Sequence, residues 1–409
     1  MRVLHLNTHA SGGSYEYAAL LSTALTERGI ESRVLSKNSE PLQARRPFLD
    51  RVIRRSYVSL STEPWHGTRR LLSPPAPQEL DEIDVVHLHT LADWFDVPRW
   101  LETVPRRIRV VISVHDMWHI TGGCFLYRGC NRFNDTCTFC PILKPPLNRV
   151  LAKDEHRRKL QAYQSRQVQF VASSQWLANV AERSPLVKAA GGMRLIRPGI
   201  DTDVFTPRDK AECRASLGIQ QDAFVIAAGA ASLTDANKNI RWLLERLARL
   251  PKRENLTVLL AGEGALQIPV GLNVHSLGGV PDREKRAVVF SAADVFASAS
   301  LLETYGLTLI EAMSCGTPVV AFRTGGVPEA VVDREGGILC EILDAAGFKS
   351  AIETLRSREE LRRKLGSTAS KLVATRNAKE LFAAAFARVY RECFHGTETV
   401  SADASALAT

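Results

Sequence analysis

No stretch of this 409-residue chain approaches the roughly 18 uncharged apolar residues that span a bilayer, so no membrane-crossing helix is expected. A secretory leader core is missing as well. Arg2, His5 and Asn7 interrupt the opening Met-Arg-Val-Leu-His-Leu-Asn, which reads as a first strand, and the expectation is a cytoplasmic protein. No period of roughly 20–50 residues repeats, which excludes a solenoid. Gly-x-Gly-x-x-Gly does not follow the strand Val3–Leu6, which weighs against a dinucleotide oxidoreductase. Nor is there an aromatic-interleaved basic motif or a recognition helix, so no nucleic-acid partner is expected.

What is present fits a soluble α/β protein. The length exceeds one hydrophobic core and suits two domains of ordinary size. The net charge of +9 is uneven. Residues 1–200 hold 28 Lys and Arg against 18 Asp and Glu, whereas residues 201–409 hold 25 against 26. Part of the excess lies in Arg45-Arg46, Arg51, Arg54-Arg55 and Arg69-Arg70. That stretch reads as a solvated basic face or as a peripheral contact with anionic lipid.

Short β-rich runs alternate with helical stretches throughout, the pattern of parallel sheets. Strands are predicted at Val3–Leu6, Ser32–Leu35, Val85–Leu88, Val110–Val114 and Phe170–Ala172, then Phe224–Ala228, Thr257–Ala261, Asn273–Leu277, Val295–Ala297 and Pro318–Ala321. Helices are predicted over Tyr15–Arg28, Lys153–Gln164, Asn239–Arg249, Arg283–Ala292, Leu307–Ser314, Asp344–Leu355 and Glu359–Leu372. Arg197-Pro198-Gly199-Ile200-Asp201 breaks the pattern and marks a domain boundary. Two doubly wound domains joined there leave a cleft between their carboxyl-end loops.

The chemistry centres on Glu303-Thr304-Tyr305-Gly306-Leu307-Thr308-Leu309-Ile310-Glu311. The turn Thr304–Gly306 opens a helix whose first amides lack intrahelical partners and carry partial positive charge. Those amides suit phosphate oxygens, and Gly306 lets a ligand approach the backbone. Glu303 can accept hydrogen bonds from sugar hydroxyls; Glu311 can take the two hydroxyls of a ribose.

With its context Ala312-Met-Ser-Cys-Gly316-Thr-Pro318 and Gly325-Gly326-Val-Pro328-Glu329, this stretch resembles the donor signature of family-4 glycosyltransferases. Those are retaining enzymes of the GT-B fold, two Rossmann-like domains facing across a cleft. Gly12-Gly13 looks like that family's glycine loop, and His115-Asp116 resembles its active-site histidine. Ser173-Ser174-Gln175-Trp176, Arg197–Asp201, Ala261-Gly262-Glu263-Gly264 and Leu277-Gly278 look like further family landmarks. Tyr305 and Leu307 belong to the same donor motif.

There is one departure. The family usually carries an Arg six residues before a Lys, both on the diphosphate. Lys238 is present here, but the Arg position is Ser232, which donates only a neutral hydrogen bond. The resemblance implies a nucleotide-diphosphate sugar as donor (UDP-, GDP- or ADP-linked), retention of configuration and no catalytic divalent metal. It also implies an acceptor domain over residues 1–198, a donor domain over 199–378, and a helix over 379–395 that crosses back to the first domain. Residues 396–409 read as a disordered tail.

Four of the eight cysteines cluster as Cys124, Cys130, Cys137 and Cys140 in a glycine-rich knob without its own core. Zn²⁺ held by four thiolates is the preferred reading, with an iron–sulfur site, free thiols or disulfides as alternatives. The insert resembles that of colanic-acid and exopolysaccharide glycosyltransferases, which implies a lipid-linked or oligosaccharide acceptor at the inner membrane face. His87 and His89 are candidates for the acceptor cleft or for structural roles. Trp94, Phe95 and Trp100 read as packing. Two rival functions are a metal-cluster or dinucleotide oxidoreductase and a non-catalytic sugar-nucleotide sensor.

Overall fold

A computed structural model describes residues 1–37, 65–67, 77–127, 129–251 and 253–395. The basic stretch Arg45–Arg55, Arg69-Arg70 and residues 396–409 lie outside the described residues.

The first sheet contains β1 (Arg2–Asn7), β2 (Glu31–Ser36), β3 (Val85–Leu88), β4 (Arg109–Val114), β5 (Gln169–Ala172) and β6 (Met193–Leu195). The second contains β7 (Phe224–Ser232), β8 (Leu256–Glu263), β9 (Asn273–Gly278), β10 (Val295–Ser298), β11 (Val319–Phe322) and β12 (Gly337–Cys340). Their orders are β2-β1-β3-β4-β5-β6 and β12-β11-β10-β7-β8-β9, and every pair is parallel. Parallel strands need crossovers, and the crossover helices bury both sheet faces. This is why the strands read as continuous apolar runs such as Val-Val-Ile-Ser-Val.

Alternate residues feed separate cores. Leu4, Val86, Ile112 and Phe170 pack on one face of the first sheet. Val3, Val85, Val111 and Val171 pack on the other. The second sheet divides in the same manner, with Val225 and Leu259 on one face and Ile226 and Val258 on the other.

The helix Lys379–His395 follows the second domain in sequence but packs on the first. Its Phe382, Phe386 and Tyr390 share a core with Tyr17 and Leu21 of the helix Gly13–Glu27. At the crossing point Asn377 donates from Nδ2 to the Pro198 carbonyl at 2.7 Å and to the Tyr305 hydroxyl at 3.0 Å. Beside it, the Ile200 amide donates to the Asn377 carbonyl at 2.7 Å.

In each sheet the strand order reverses once, at β1/β3 and at β7/β10. The crevice beyond the carboxyl ends of such a reversal is where open parallel sheets bind ligands. Gly13 follows β1, Ser232 ends β7 and Glu303 follows β10, so the two reversals collect the candidate residues of both domains.

Candidate active site

The loop 299–306 leads from β10 into the helix Leu307–Ser314. Gly306 has φ 99°, a conformation that strains other residues, and it begins the helix. The first intrahelical bond is donated by the Leu309 amide to the Gly306 carbonyl at 3.1 Å, so the amides of Leu307 and Thr308 precede the helical ladder. Across the interdomain gap stands Gly13: a Cβ there would lie 3.8 Å from Leu307 Cδ1. The glycine loop of one domain thus meets the positive helix end of the other.

Glu303 stands beside this helix end and forms an ion pair with Lys238. Burial works against the Lys238 charge, but Glu303 and then Asp235 outweigh it and hold the ammonium above the ordinary lysine range. Asn237 splints the two loops together. Its Nδ2 donates to the Leu302 carbonyl and its carbonyl accepts the Leu301 amide, both at 2.8 Å.

The backbone of Glu303 is braced from behind by Gly325-Gly326. The Gly326 amide donates to the Glu303 carbonyl at 2.9 Å, and a Cβ on Gly326 would stand 2.1 Å from the Thr304 carbonyl oxygen. Ser174 of the first domain donates to that same carbonyl at 2.7 Å. Glu329 completes the contact by accepting the amides of Gln175 and Trp176, at 2.7 and 2.8 Å, at the start of the helix Gln175–Ala181.

Glu311 sits on the other side of the helix tip, 8% exposed. Its Oε1 lies 3.3 Å from Arg286 Nη2; Arg286 also lies 3.6 Å from Glu16 of the first domain, whose carboxylate accepts Arg283 Nε at 3.0 Å. Burial pushes the Glu311 carboxyl up to about 7; Arg286 opposes the rise and Glu16 adds to it. Arg283, Arg286, Glu16 and Asn237 escaped the sequence reading, their only signal being an Arg-x-x-Arg spacing on one helix; Glu329 was named with the donor motif, but its contact with the Gln175 and Trp176 amides was not foreseen.

The remaining donor candidates divide. Ser232 is exposed at the end of β7, with its Oγ 3.1 Å from Thr234 Oγ1. Gly262 closes β8, where a Cβ would lie 2.0 Å from the Ala230 carbonyl oxygen. Tyr305 differs from the sequence reading. Its ring is 2% exposed within the second-domain core and its hydroxyl accepts from Asn377, so this side chain is occupied in packing.

His115, half-buried beyond β4, is held by an edge-on contact with Tyr17 at 4.6 Å and by His89, whose Nδ1 lies 2.9 Å from His115 Nε2. Burial lowers the His115 imidazole to about 4, so the ring is neutral near pH 7. His87 and His89 are 0% exposed and do not line a cleft, so of the two roles left open the structural one holds. Each is well below the usual histidine range because burial disfavours its charged form. Trp94, Phe95 and Trp100 are core residues.

Cys124, Cys130, Cys137 and Cys140 line one cavity of about 220 Å³. Burial pushes the Cys124 and Cys137 thiols up to about 12, and the neighbouring cysteines add to the rise. The donor set suits a soft cation, but the spacing is not closed. Among the described residues, the one group with three ligand atoms within 4.8 Å of one another is His5, His87 and His89.

A helix tip at paired sheet reversals, flanked by two acids and two basic side chains, makes a crevice suited to an anionic ligand in a two-domain GT-B fold. The comparisons agree. A model described as "Glycosyltransferase Family 4" matches residues 11–204, and one described as "Glycosyl transferases group 1" matches residues 224–358. The chain belongs to this family of glycosyltransferases, and the two models fall on its two domains.

The D-inositol 3-phosphate glycosyltransferase of Mycobacteroides abscessus is 36% identical over 175 residues, covering 40% of this chain and 39% of that protein. The chain thus matches well under half the length of that relative. The Mycolicibacterium smegmatis protein of the same name is 27% identical over 384 residues, covering 86% of this chain and 80% of that one. Among solved structures, sucrose-phosphate synthase from Thermosynechococcus elongatus superposes with a TM-score of 0.68 at 20% identity, covering 96% of this chain and 99% of that one. The Anabaena protein HepE in complex with UDP-glucose does so with a TM-score of 0.62 at 17% identity, covering 96% and 100%. Among the described residues no helix is long and apolar enough to cross a membrane.

Proposed function

We propose that the chain moves a hexose-type sugar, with retention of configuration, from a nucleoside-diphosphate sugar to a glycan acceptor. The observation that carries this reading is the Leu307 helix tip, flanked by Lys238–Glu303 and Arg286–Glu311 and faced by Gly13.

In this reading the donor diphosphate lies against the Leu307 and Thr308 amides. Glu311 accepts the ribose hydroxyls and Glu303 those of the sugar. As the bond from the anomeric carbon to the β-phosphate oxygen breaks, negative charge grows on that oxygen. Fixed amides and the Lys238 ammonium stabilise it without reorganising, so no divalent metal is required. The acceptor hydroxyl attacks from the same face and passes its proton to the departing phosphate, while His115 donates to or positions the sugar. With Ser232 in place of the family arginine, Lys238 and the amides hold the diphosphate, and Gly262 leaves room at the neighbouring strand end.

A thermal-shift and transfer screen with UDP-, GDP- and ADP-linked sugars tests this. One donor class should raise the melting temperature in the wild type but not in Lys238→Ala. No shift and no turnover with any of them would remove the reading.

For the acceptor we favour a lipid-linked glycan of a surface polysaccharide, taken up at the inner membrane face, as the cysteine insert and the basic first half suggest. An inositol phosphate acceptor is the second reading, suggested by the name of the M. smegmatis relative. Product analysis with inositol 3-phosphate and with a lipid-linked oligosaccharide offered separately distinguishes them. The cysteine cavity is the place for a structural zinc, and a metal content of about one zinc per chain would support it. Purified protein without zinc would count against it.

A further inference from the structure

The alternation that buries Val3, Val85 and Val111 on one face of the first sheet puts His5, His87 and Ser113 on that face too. Polar side chains there lie beneath the helices Gly13–Glu27 and Lys379–His395, where an unpaired donor or acceptor is costly. They are all satisfied. His115 Nε2 lies 2.9 Å from His89 Nδ1, His89 Nε2 lies 3.0 Å from His5 Nδ1, and His5 Nε2 lies 3.1 Å from Ser32 Oγ. The middle of this row is sealed, with His5 and His89 0% exposed, while His115 and Ser32 at its ends are half-buried.

We propose that His89, His5 and Ser32 are positioning residues that act through His115, a relay that sets whether the free nitrogen of that ring donates or accepts. The inference rests on the reading of His115 as the side chain that meets the sugar.

The connectivity dictates how the relay works. A neutral imidazole has one donor nitrogen and one acceptor nitrogen, so each ring in the row fixes its neighbour. If Ser32 donates to His5 Nε2, then His5 and His89 must carry their hydrogens on Nδ1. His115 Nε2 is then an acceptor and His115 Nδ1 carries a hydrogen to offer. If Ser32 accepts, all three rings carry hydrogen on Nε2 and His115 Nδ1 presents a bare lone pair.

Passing between the two arrangements moves one proton along the row and leaves every ring neutral. A proton taken up at His115 Nδ1 displaces one from His115 Nε2 to His89 Nδ1. The next passes from His89 Nε2 to His5 Nδ1, and the next from His5 Nε2 to Ser32 Oγ, whose own proton leaves to water at the β2 edge. The low basicity that burial gives these rings fits such neutral transfer.

A metal ion is the competing account, because His5, His87 and His89 bring one nitrogen each within 4.8 Å. All six of their ring nitrogens are hydrogen-bonded, however. His87 is engaged by Tyr390 at 2.7 Å and Ser113 at 2.8 Å, and the other two rings by the row itself. An ion would have to displace bonds already made.

The test uses the full chain labelled with ¹⁵N-histidine, with each ring's tautomer read from its long-range couplings to carbon-bound hydrogens. His5, His89 and His115 should share one tautomer, all Nδ1–H or all Nε2–H, and Ser32→Ala should change the tautomer ratio at His115. Rings of mixed tautomer, or a His115 ratio indifferent to Ser32→Ala in a folded protein, would overturn the relay. So would a zinc or other ion co-purifying with the protein and lost on His5→Asn.

With UDP-glucose as probe, His89→Phe should lower kcat by about 10²-fold, the scale of positioned proton transfer, and leave KM unchanged. A folded His89→Phe variant with wild-type kcat would refute the coupling to His115. If the wild type turned over no nucleotide sugar, the transferase reading would fail, and the tautomer measurement would still decide this inference.

Discussion

Glu311→Gln tests the buried carboxyl beside the Leu307 helix tip through the pH dependence of stability. The Glu311 carboxyl rises from 4.5 to about 7, chiefly because burial disfavours its charge. A carboxyl raised in the folded state binds its proton more tightly there than in the unfolded chain. Stability from this group is therefore complete below about pH 4.5 and is lost as pH rises through 7. At about 1.4 kcal/mol per unit, the loss is about 3 kcal/mol.

Glutamine keeps the shape and cannot ionise. Relative to wild type, Glu311→Gln should gain about 2.5 kcal/mol between roughly pH 5 and pH 8. Urea unfolding of both proteins at the two pH values measures this as a double difference, in which the other titrations cancel. If Glu311 accepts the ribose hydroxyls as proposed, the same ionisation governs donor binding. Wild-type affinity for UDP-glucose should strengthen as pH rises through about 7, and that of the variant should stay weak and flat. A double difference near zero would refute the reading that burial holds Glu311 half-neutral.

Two further outcomes follow from the bracing of the site, and a third from the buried Lys159. Gly326→Ala drives a Cβ toward the Thr304 carbonyl and should displace the Glu303 loop, lowering turnover by about 10²-fold; unchanged kcat in a folded variant would refute it. Glu329→Ala removes the acceptor for the Gln175 and Trp176 amides, at about 1 kcal/mol. Hydrogen exchange at those two amides should accelerate, and unchanged protection would count against the cap. Lys159→Met leaves the Trp118 and Thr121 carbonyls without their buried ammonium donor and should cost about 2 kcal/mol in urea unfolding; an unshifted midpoint would contradict that role.

The sequence carries the sheets well because parallel strands buried on both faces leave uninterrupted apolar runs. Ten of the strands lie where such runs occur. Met193–Leu195 was missed because it is a three-residue edge strand with two exposed positions, and Gly337–Cys340 because it opens on glycine between turns. The acids of the Glu303 motif were legible because a glycine turn and an apolar run fix where the helix begins.

Tyr305 misled because a motif aromatic beside a ligand loop looks the same whether it faces the ligand or the core. The histidine row could not be read at all. His5, His89 and His115 are joined by β1 pairing with β3 and β3 with β4, and such distant register leaves no local trace. Glu16, Arg283 and Arg286 were hidden for the same reason, since they meet only where two domains touch.

The return of Lys379–His395 to the first domain means the halves are joined by two strands of chain, at Ile200 and Ala378, which lie side by side as a β-bridge. A tether of one strand permits swivelling in any direction. Two anchored next to each other restrict how the lobes can turn relative to one another more than one would. Severing the polypeptide near residue 198 would not yield two independent pieces either, because the first lobe would lose the aromatic wedge of Phe382, Phe386 and Tyr390 that fills one side of its interior.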